Sequence, residues 1–194
     1  MAEASTEIPG SGPGDKDLVE PGVHAAYFFD DQAEKQQKLF SICREAVDQK
    51  NAYLVYVAGK QGVKGIRLSL KDTGFDVAAY EKRQQMRILD SEEFFMSTSR
   101  QPIFLSGSEL VQKISALEKE TSAHRYSPLV MIVETDMLVR KGFLPNYKQF
   151  DQAVSGLLEQ TAIAVICAFD CRELSAKGVS NPESELGPLH NVIV

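Results

Sequence analysis

The chain has 194 residues, 43% hydrophobic and 25% charged, the balance of an ordinary globular protein with one sizeable core. A net charge of −6 and a pI of about 5.2 argue against nucleic-acid binding through charge, because phosphate contacts need a basic surface. With no apolar run near the roughly 18 residues of a spanning helix, no basic-then-apolar signal segment and three cysteines (Cys43, Cys167, Cys171), the expectation is a cytoplasmic protein with reduced thiols and no membrane contact.

Residues 1–22 crowd Pro9, Gly10, Gly12, Pro13, Gly14, Pro21 and Gly22 together with few large apolar side chains, and read as a flexible N-terminal tail. One domain is expected over residues 23–194. It opens on His24-Ala-Ala-Tyr-Phe-Phe-Asp30-Asp31, whose apolar part, Ala25–Phe29, predicts a strand. Asp31 and Glu34 have capping-box spacing, and Leu39, Phe40, Cys43 and Val47 give the following helix one apolar face. Tyr53–Val57 predicts a second strand, and Val63, Ile66 and Leu70 a short helix. Phe75–Tyr80 is ambiguous, and Met86–Leu89 predicts a third strand. Glu92–Leu105 has no clear pattern. Ser106 and Glu109 open a helix striped by Leu110, Ile114 and Leu117. Leu129–Val133 predicts a fourth strand running into Glu134 and Asp136. Tyr147, Phe150, Val154, Leu157 and Leu158 mark a helix starting near Pro145. Ala162–Phe169 is the fifth strand, Ser175–Pro188 reads as a loop, and Val192–Val194 offers a sixth strand. Continuous apolar strands alternating with helices predict an α/β three-layer sandwich around a mainly parallel central sheet.

Several segments offer chemistry, and each also has a plainer structural reading. Gly59-Lys-Gln-Gly62-Val-Lys64-Gly65 stands where a phosphate loop could sit, but the Gly-Lys-Ser/Thr ending of the Walker pattern is missing, so a plain strand-to-helix turn is favoured. Lys60, Lys64, Arg67 and Lys71 form a basic side on that helix, either a solvated face or an anion or partner surface. Cys167 has a candidate base in His24, yet a buried structural thiol is the commoner case. The metal-donor types His24, Asp30, Glu134, Cys167, Asp170, Cys171 and His190 are scattered, without an HxxxH or CxxC pair, so no metal site is expected. Glu134 and Asp136 follow a strand as a Walker B acid does, but have no phosphate loop to serve.

The ordered set His24–Asp31, Tyr53–Val57, Phe75–Tyr80, Met86–Leu89, Ile166-Cys-Ala-Phe-Asp170 and Leu189-His-Asn-Val-Ile-Val194 resembles the MEDS domain, the methanogen/methylotroph, DcmR sensory domain. The resemblance implies a RecA/KaiC-like fold without a P-loop and a role in prokaryotic signalling or transcription control, sensing a small hydrocarbon derivative. It matches the family's histidine to His24 and its cysteine to Cys167. Phe169 stands where tyrosine is usual, and Asp151 where glutamate is usual in the fourth helix.

The expectation is therefore a non-enzymatic sensory domain without a cofactor. Its ligand site is expected to draw on His24, Tyr27, Phe29, Asp30, Glu134, Cys167, Phe169 and Asp170. Its partners are a small molecule and a signalling protein, with no direct nucleic-acid binding and a possible homo-oligomer. The alternative is a non-catalytic interaction or oligomerisation module derived from an ATPase fold, with or without residual nucleotide binding.

Overall fold

Six parallel strands form the centre of the computed structural model, which describes residues 17–98 and 103–194. The strands are β1 (His24–Phe29), β2 (Tyr53–Ala58), β3 (Met86–Asp90), β4 (Leu129–Glu134), β5 (Ile163–Asp170) and β6 (Val192–Ile193). Their order is β3-β2-β4-β5-β1-β6, and every pairing is parallel. β2, β4 and almost all of β5 are buried on both faces, which is why they read as unbroken apolar runs rather than alternating ones.

Helices cover both faces. Helix α1 (Gln32–Arg44), continued by a π-helical turn over Glu45–Gln49, lies on the first face with α2 (Gly62–Asp72) and α3 (Val77–Lys82). Leu39, Ile66 and Leu70 from these helices pack against Leu54, Val130 and Ile166. The second face is covered by α5 (Gly107–Ala123) and α7 (Leu144–Leu158), whose Leu110, Ile114, Phe150 and Val154 meet Val55, Met131 and Val165. Short helices α4 (Ser91–Phe95), α6 (Asp136–Arg140), α8 (Cys171–Ala176) and α9 (Pro182–Leu186) complete the connections. Each buried leucine or isoleucine contributes roughly 1.5–3 kcal/mol, so the two apolar layers dominate the stability.

The structure shifts three boundaries. Leu18 and Val19, which composition placed in the tail, are buried in the first-face core, and the Gly22 amide donates to the Ile163 carbonyl at 2.8 Å. Two apolar residues suffice to dock this segment, although the surrounding glycines and prolines hide them; residues 1–16 lie outside the described residues. Glu92–Leu105 holds all but the first residue of α4, which Asp90 caps, and an antiparallel bridge between Met96 and Phe104; residues 99–102 again lie outside the described residues. Ser175–Pro188, expected as a loop, holds the end of α8 and all of α9. Asn181 caps α9 and Pro182 occupies its first turn, a helix-start signal that resembles loop composition. The ambiguous Phe75–Tyr80 is the entry to α3, with Asp76 accepting from the Ala79 amide.

Candidate functional site

Strand alternation divides the eight expected site residues into three groups. Tyr27 and Phe29 of β1 point to the first face, beside α1, and Glu134 at the end of β4 lies on that face too. Cys167 and Phe169 of β5 point to the second face, where His24 meets Cys167. Asp30 is exposed at the carboxyl rim of the sheet, and Asp170 caps α8 by accepting from the Arg172 and Glu173 amides. Neither acid orients the His24 ring, whose contacts run to Ser155, Asp151 and Cys167. Tyr27 and Phe29 likewise do not line a pocket with His24, because three- and five-residue spacings reverse the face. The Tyr27 hydroxyl is buried without a hydrogen-bond partner among the described residues.

His24 instead faces α7. Its Nε2 lies 3.0 Å from Asp151 Oδ1 and 4.0 Å from Cys167 Sγ. The second oxygen of Asp151 lies 3.5 Å from Nε2 of His190, which follows a 3₁₀ turn over Gly187–Leu189. The His24 and His190 rings lie 4.3 Å apart between centroids, and Phe169 meets His190 edge-on. One ligand atom each from His24, Asp151, Cys167 and His190 can be chosen so that all four lie within 4.8 Å of one another. Asp151 and Cys167 are completely buried and His24 is 2% exposed. Asp151, although one methylene shorter than glutamate, reaches both imidazoles.

Local sequence explains the convergence. The Cα register sets Ala26 opposite Cys167, so His24 and Cys167 share a face of adjacent parallel strands. Asp151 lies on the same stripe of α7 as Tyr147 and Val154, four and three residues away. Asn191 fixes the last partner. Its side chain accepts from the His24 amide at 2.9 Å and donates to the Gly22 carbonyl at 2.7 Å, while its amide donates to the His24 carbonyl. That clamp brings the neighbouring His190 under the sheet.

The hydrogens of the cluster can be assigned. The Ser155 hydroxyl donates to the Asp151 carbonyl at 3.0 Å and lies 3.3 Å from the Leu189 carbonyl, so its oxygen accepts from His24 Nδ1–H at 3.1 Å. His190 Nδ1–H donates to the Leu186 carbonyl at 2.9 Å. With Nδ1 so engaged, each ring in its neutral form turns a lone pair at Nε2 towards the Asp151 carboxylate. Asp151 Oδ1 accepts from the Tyr147 hydroxyl at 3.0 Å, but Asp151 Oδ2 and His190 Nε2 have no hydrogen-bond partner among the described residues. Burial lowers the pKa of His190, with the Asp151 charge opposing the shift. Burial, reinforced by Asp151, raises the Cys167 thiol and the Tyr147 phenol well above their ordinary ranges. A cleft of about 260 Å³, lined by residues including Ser155, Pro188 and Asn191, reaches His24 and His190.

Glu134 belongs to a different, completed network. Its Oε1 accepts from Lys35 Nζ at 2.9 Å and from the Tyr56 hydroxyl at 2.6 Å, and its Oε2 accepts from the Gly59 amide at 3.0 Å. Asp136 accepts from the Lys60 amide at 3.0 Å. The amides at the start of the β2–α2 turn are thus already engaged by carboxylates. On α2, Arg67 pairs with Glu81, and Lys60 Nζ lies 3.8 Å from Glu173. Sequence reasoning set Asp151 beside the family's glutamate and placed His190 among scattered donors, but did not join them to His24; the helix spacing of Tyr147, Asp151, Val154 and Ser155 was the available signal.

The fold has a counterpart among solved structures. A KaiC-like protein from the hyperthermophilic archaeon Pyrococcus horikoshii OT3 matches with a TM-score of 0.53 and 12% sequence identity, over 76% of this chain and 61% of that one. At that identity the likeness concerns the RecA/KaiC-like fold alone. A comparison with curated proteins finds no match. Among the described residues, no helix is long and apolar enough to cross a membrane. The model of the methanogen/methylotroph, DcmR sensory domain matches residues 23–181, a span that includes His24, Asp151 and Cys167, and the chain belongs to this MEDS family.

Proposed function

We propose that the chain is a non-catalytic sensor that receives a small hydrocarbon derivative at the His24–Asp151–Cys167–His190 cluster and passes the occupied state to a protein partner. The observation that carries this reading is the pair of buried, unpartnered polar atoms, Asp151 Oδ2 and His190 Nε2, in a cluster reached by a cleft. Buried polar groups are nearly always satisfied, so two in one cluster point to something that binds there. The cleft volume suits a ligand of a few heavy atoms rather than a nucleotide. Leu158, Pro188 and Leu189 offer an apolar wall, and the imidazoles offer polar anchors.

Two features support a role without catalysis. Burial and the Asp151 charge hold Cys167 as a thiol, the reverse of an activated nucleophile. At the β2–α2 turn, the Gly59 and Lys60 amides that a phosphate would need are taken by Glu134 and Asp136. This favours a degenerate ATPase-type turn over residual nucleotide binding.

Thermal unfolding in the presence of methanol, methylamine or 1-chloropropane tests the reading. A ligand at about 100 times its Kd stabilises by about 2.7 kcal/mol, a readily measured rise in Tm. The expected result is a saturable rise with at least one probe that His24→Ala abolishes. A rise that persists in His24→Ala, or no saturable rise with any probe, overturns it.

A further inference from the structure

We propose that His24 Nε2, the Asp151 carboxylate, Cys167 Sγ and His190 Nε2 together hold one divalent transition-metal ion of the zinc class. The inference goes beyond the sensing reading and stands without it, since a metal here could serve structure alone.

The first argument is the arrangement of lone pairs. Each imidazole spends its Nδ1–H outside the cluster, on Ser155 Oγ and on the Leu186 carbonyl. Each then presents a bare Nε2 to the same carboxylate, at 3.0 and 3.5 Å. Acceptors facing acceptors repel unless a cation lies between them. One proton on His24 would satisfy the shorter contact and leave the His190–Asp151 contact unresolved. A metal ion satisfies both, and takes the Cys167 sulfur as well.

The second argument is geometry. Four donors about 2.0–2.3 Å from a tetrahedral ion stand roughly 3.3–3.8 Å from one another. The separations of 3.0 Å to Asp151 Oδ1, 3.5 Å to Asp151 Oδ2 and 4.0 Å between His24 Nε2 and Cys167 Sγ bracket that range, and with one ligand atom taken from each residue all four lie within 4.8 Å of one another. Closing the longest of them takes a movement of about 1 Å.

The third argument is charge and ligand type. Two imidazoles, one carboxylate and one thiolate carry −2, which a divalent ion neutralises inside a site where an unpaired charge would be costly. Coordination sends the thiol proton to solvent. Sulfur and imidazole donors select zinc, cobalt or iron(II) over magnesium or calcium. The outer contacts match what metal-bound histidines need: a hydroxyl and a backbone carbonyl fix the two ring tautomers, and Tyr147 holds the carboxylate.

The test uses the full chain, purified without an affinity tag, stripped with a chelator and titrated with cobalt(II). The expected result is uptake of one equivalent, a thiolate-to-cobalt charge-transfer band, tetrahedral-intensity ligand-field bands, and displacement by zinc(II). Cys167→Ser loses the charge-transfer band, and His190→Gln weakens binding by about 100-fold or more. Cys171→Ser, outside the cluster, keeps the wild-type spectrum. His190→Gln, near the chain end, carries the comparison if Cys167→Ser does not fold. Absence of stoichiometric uptake by the wild type overturns the proposal, as does a cobalt spectrum unchanged in Cys167→Ser or His190→Gln. Repeating the methanol, methylamine and 1-chloropropane melts on stripped protein separates the two readings. A retained, His24-dependent rise without cobalt uptake leaves sensing and removes the metal. Cobalt uptake without any rise does the reverse.

Discussion

Glu134 and Asp151 are buried carboxylates on opposite faces of one sheet, and they are satisfied to different degrees. Glu134 receives an ammonium, a phenol and a backbone amide, so donors are directed at both of its oxygens. Asp151 receives one phenol and then faces two imidazole nitrogens, one of them without a hydrogen-bond partner among the described residues. A closed network rigidifies and specifies a core, whereas an open one keeps binding capacity in reserve. On the proposed reading, the difference separates an acid that holds the fold from an acid that would hold a ligand.

The largest expected effect comes from opening the closed network. Lys35→Met leaves the Glu134 charge buried without its cation and is expected to cost about 3–5 kcal/mol in urea-induced unfolding. Asp151→Asn, measured in chelator, is expected to cost less than about 1 kcal/mol, because the amide can donate to an imidazole where the carboxylate could only accept. Equal losses in the two variants would erase the distinction between the clusters.

Gly59→Ala probes the same network through the backbone. A Cβ at Gly59 would stand 1.8 Å from Asp136 Oδ1 and 3.0 Å from the Glu134 Cβ, so the carboxylate clamp on the turn has to move. The expected loss is about 2–3 kcal/mol. Gly62→Ala, three residues on, meets nothing within 4 Å and carries only the strain of its φ of +64°. It should lose about 1 kcal/mol. If Gly59→Ala is no worse than Gly62→Ala, the clamp is not rigid.

A smaller effect should appear with pH. Burial first, and the neighbouring Glu134 charge second, raise the pKa of Asp136 above the ordinary aspartate value of about 4. Lys35 and the Lys60 and Met137 amides oppose the shift from the other side. The native state therefore holds this proton longer than the unfolded chain does. Its contribution is favourable at low pH and is lost as pH rises from about 4 through the raised native value. Asp136→Asn lacks that loss. The stability of the variant minus that of the wild type is expected to increase with pH above 4 and then level off. A flat or falling difference would mean that Asp136 ionises in the fold without penalty.

Periodicity made the layers legible. The unbroken apolar runs at Tyr53, Leu129 and Ile163 marked strands buried on both faces, and the Leu110, Ile114, Leu117 stripe marked a helix. Capping signals worked where the residue types were unambiguous, as at Asp31 and Ser106. They were obscured at Asn181-Pro182, where the same residues also suit a loop. The site was half legible. His24 and Cys167 are set by the pairing of β1 with β5, but no local pattern says which strands are neighbours. Asp151 and His190 arrive from 127 and 166 positions further along the chain than His24. Their meeting depends on how α7 crosses the sheet and on the Asn191 clamp, both of which are tertiary.

The finest test of that distinction uses Asp170, expected from the sequence in the ligand site and found capping α8. Asp170 lies three residues beyond Cys167 on β5, roughly 10 Å along the strand and on the opposite alternation. Its carboxylate is occupied by the Arg172 and Glu173 amides at 3.0 and 3.3 Å and by Gln32 Nε2 at 3.1 Å. Asp170→Ala should therefore cost about 1 kcal/mol, the usual loss of an N-cap. It should leave the ligand-induced rise in Tm and the cobalt spectrum as they are in the wild type. A change in either would mean that the carboxyl rim and the buried cluster form one site, and that the sheet edge takes part in binding. An unchanged response confines the chemistry to the face under α7. It would make the carboxylates at the strand ends helix caps, and the imidazole at the start of β1 the group that meets the ligand.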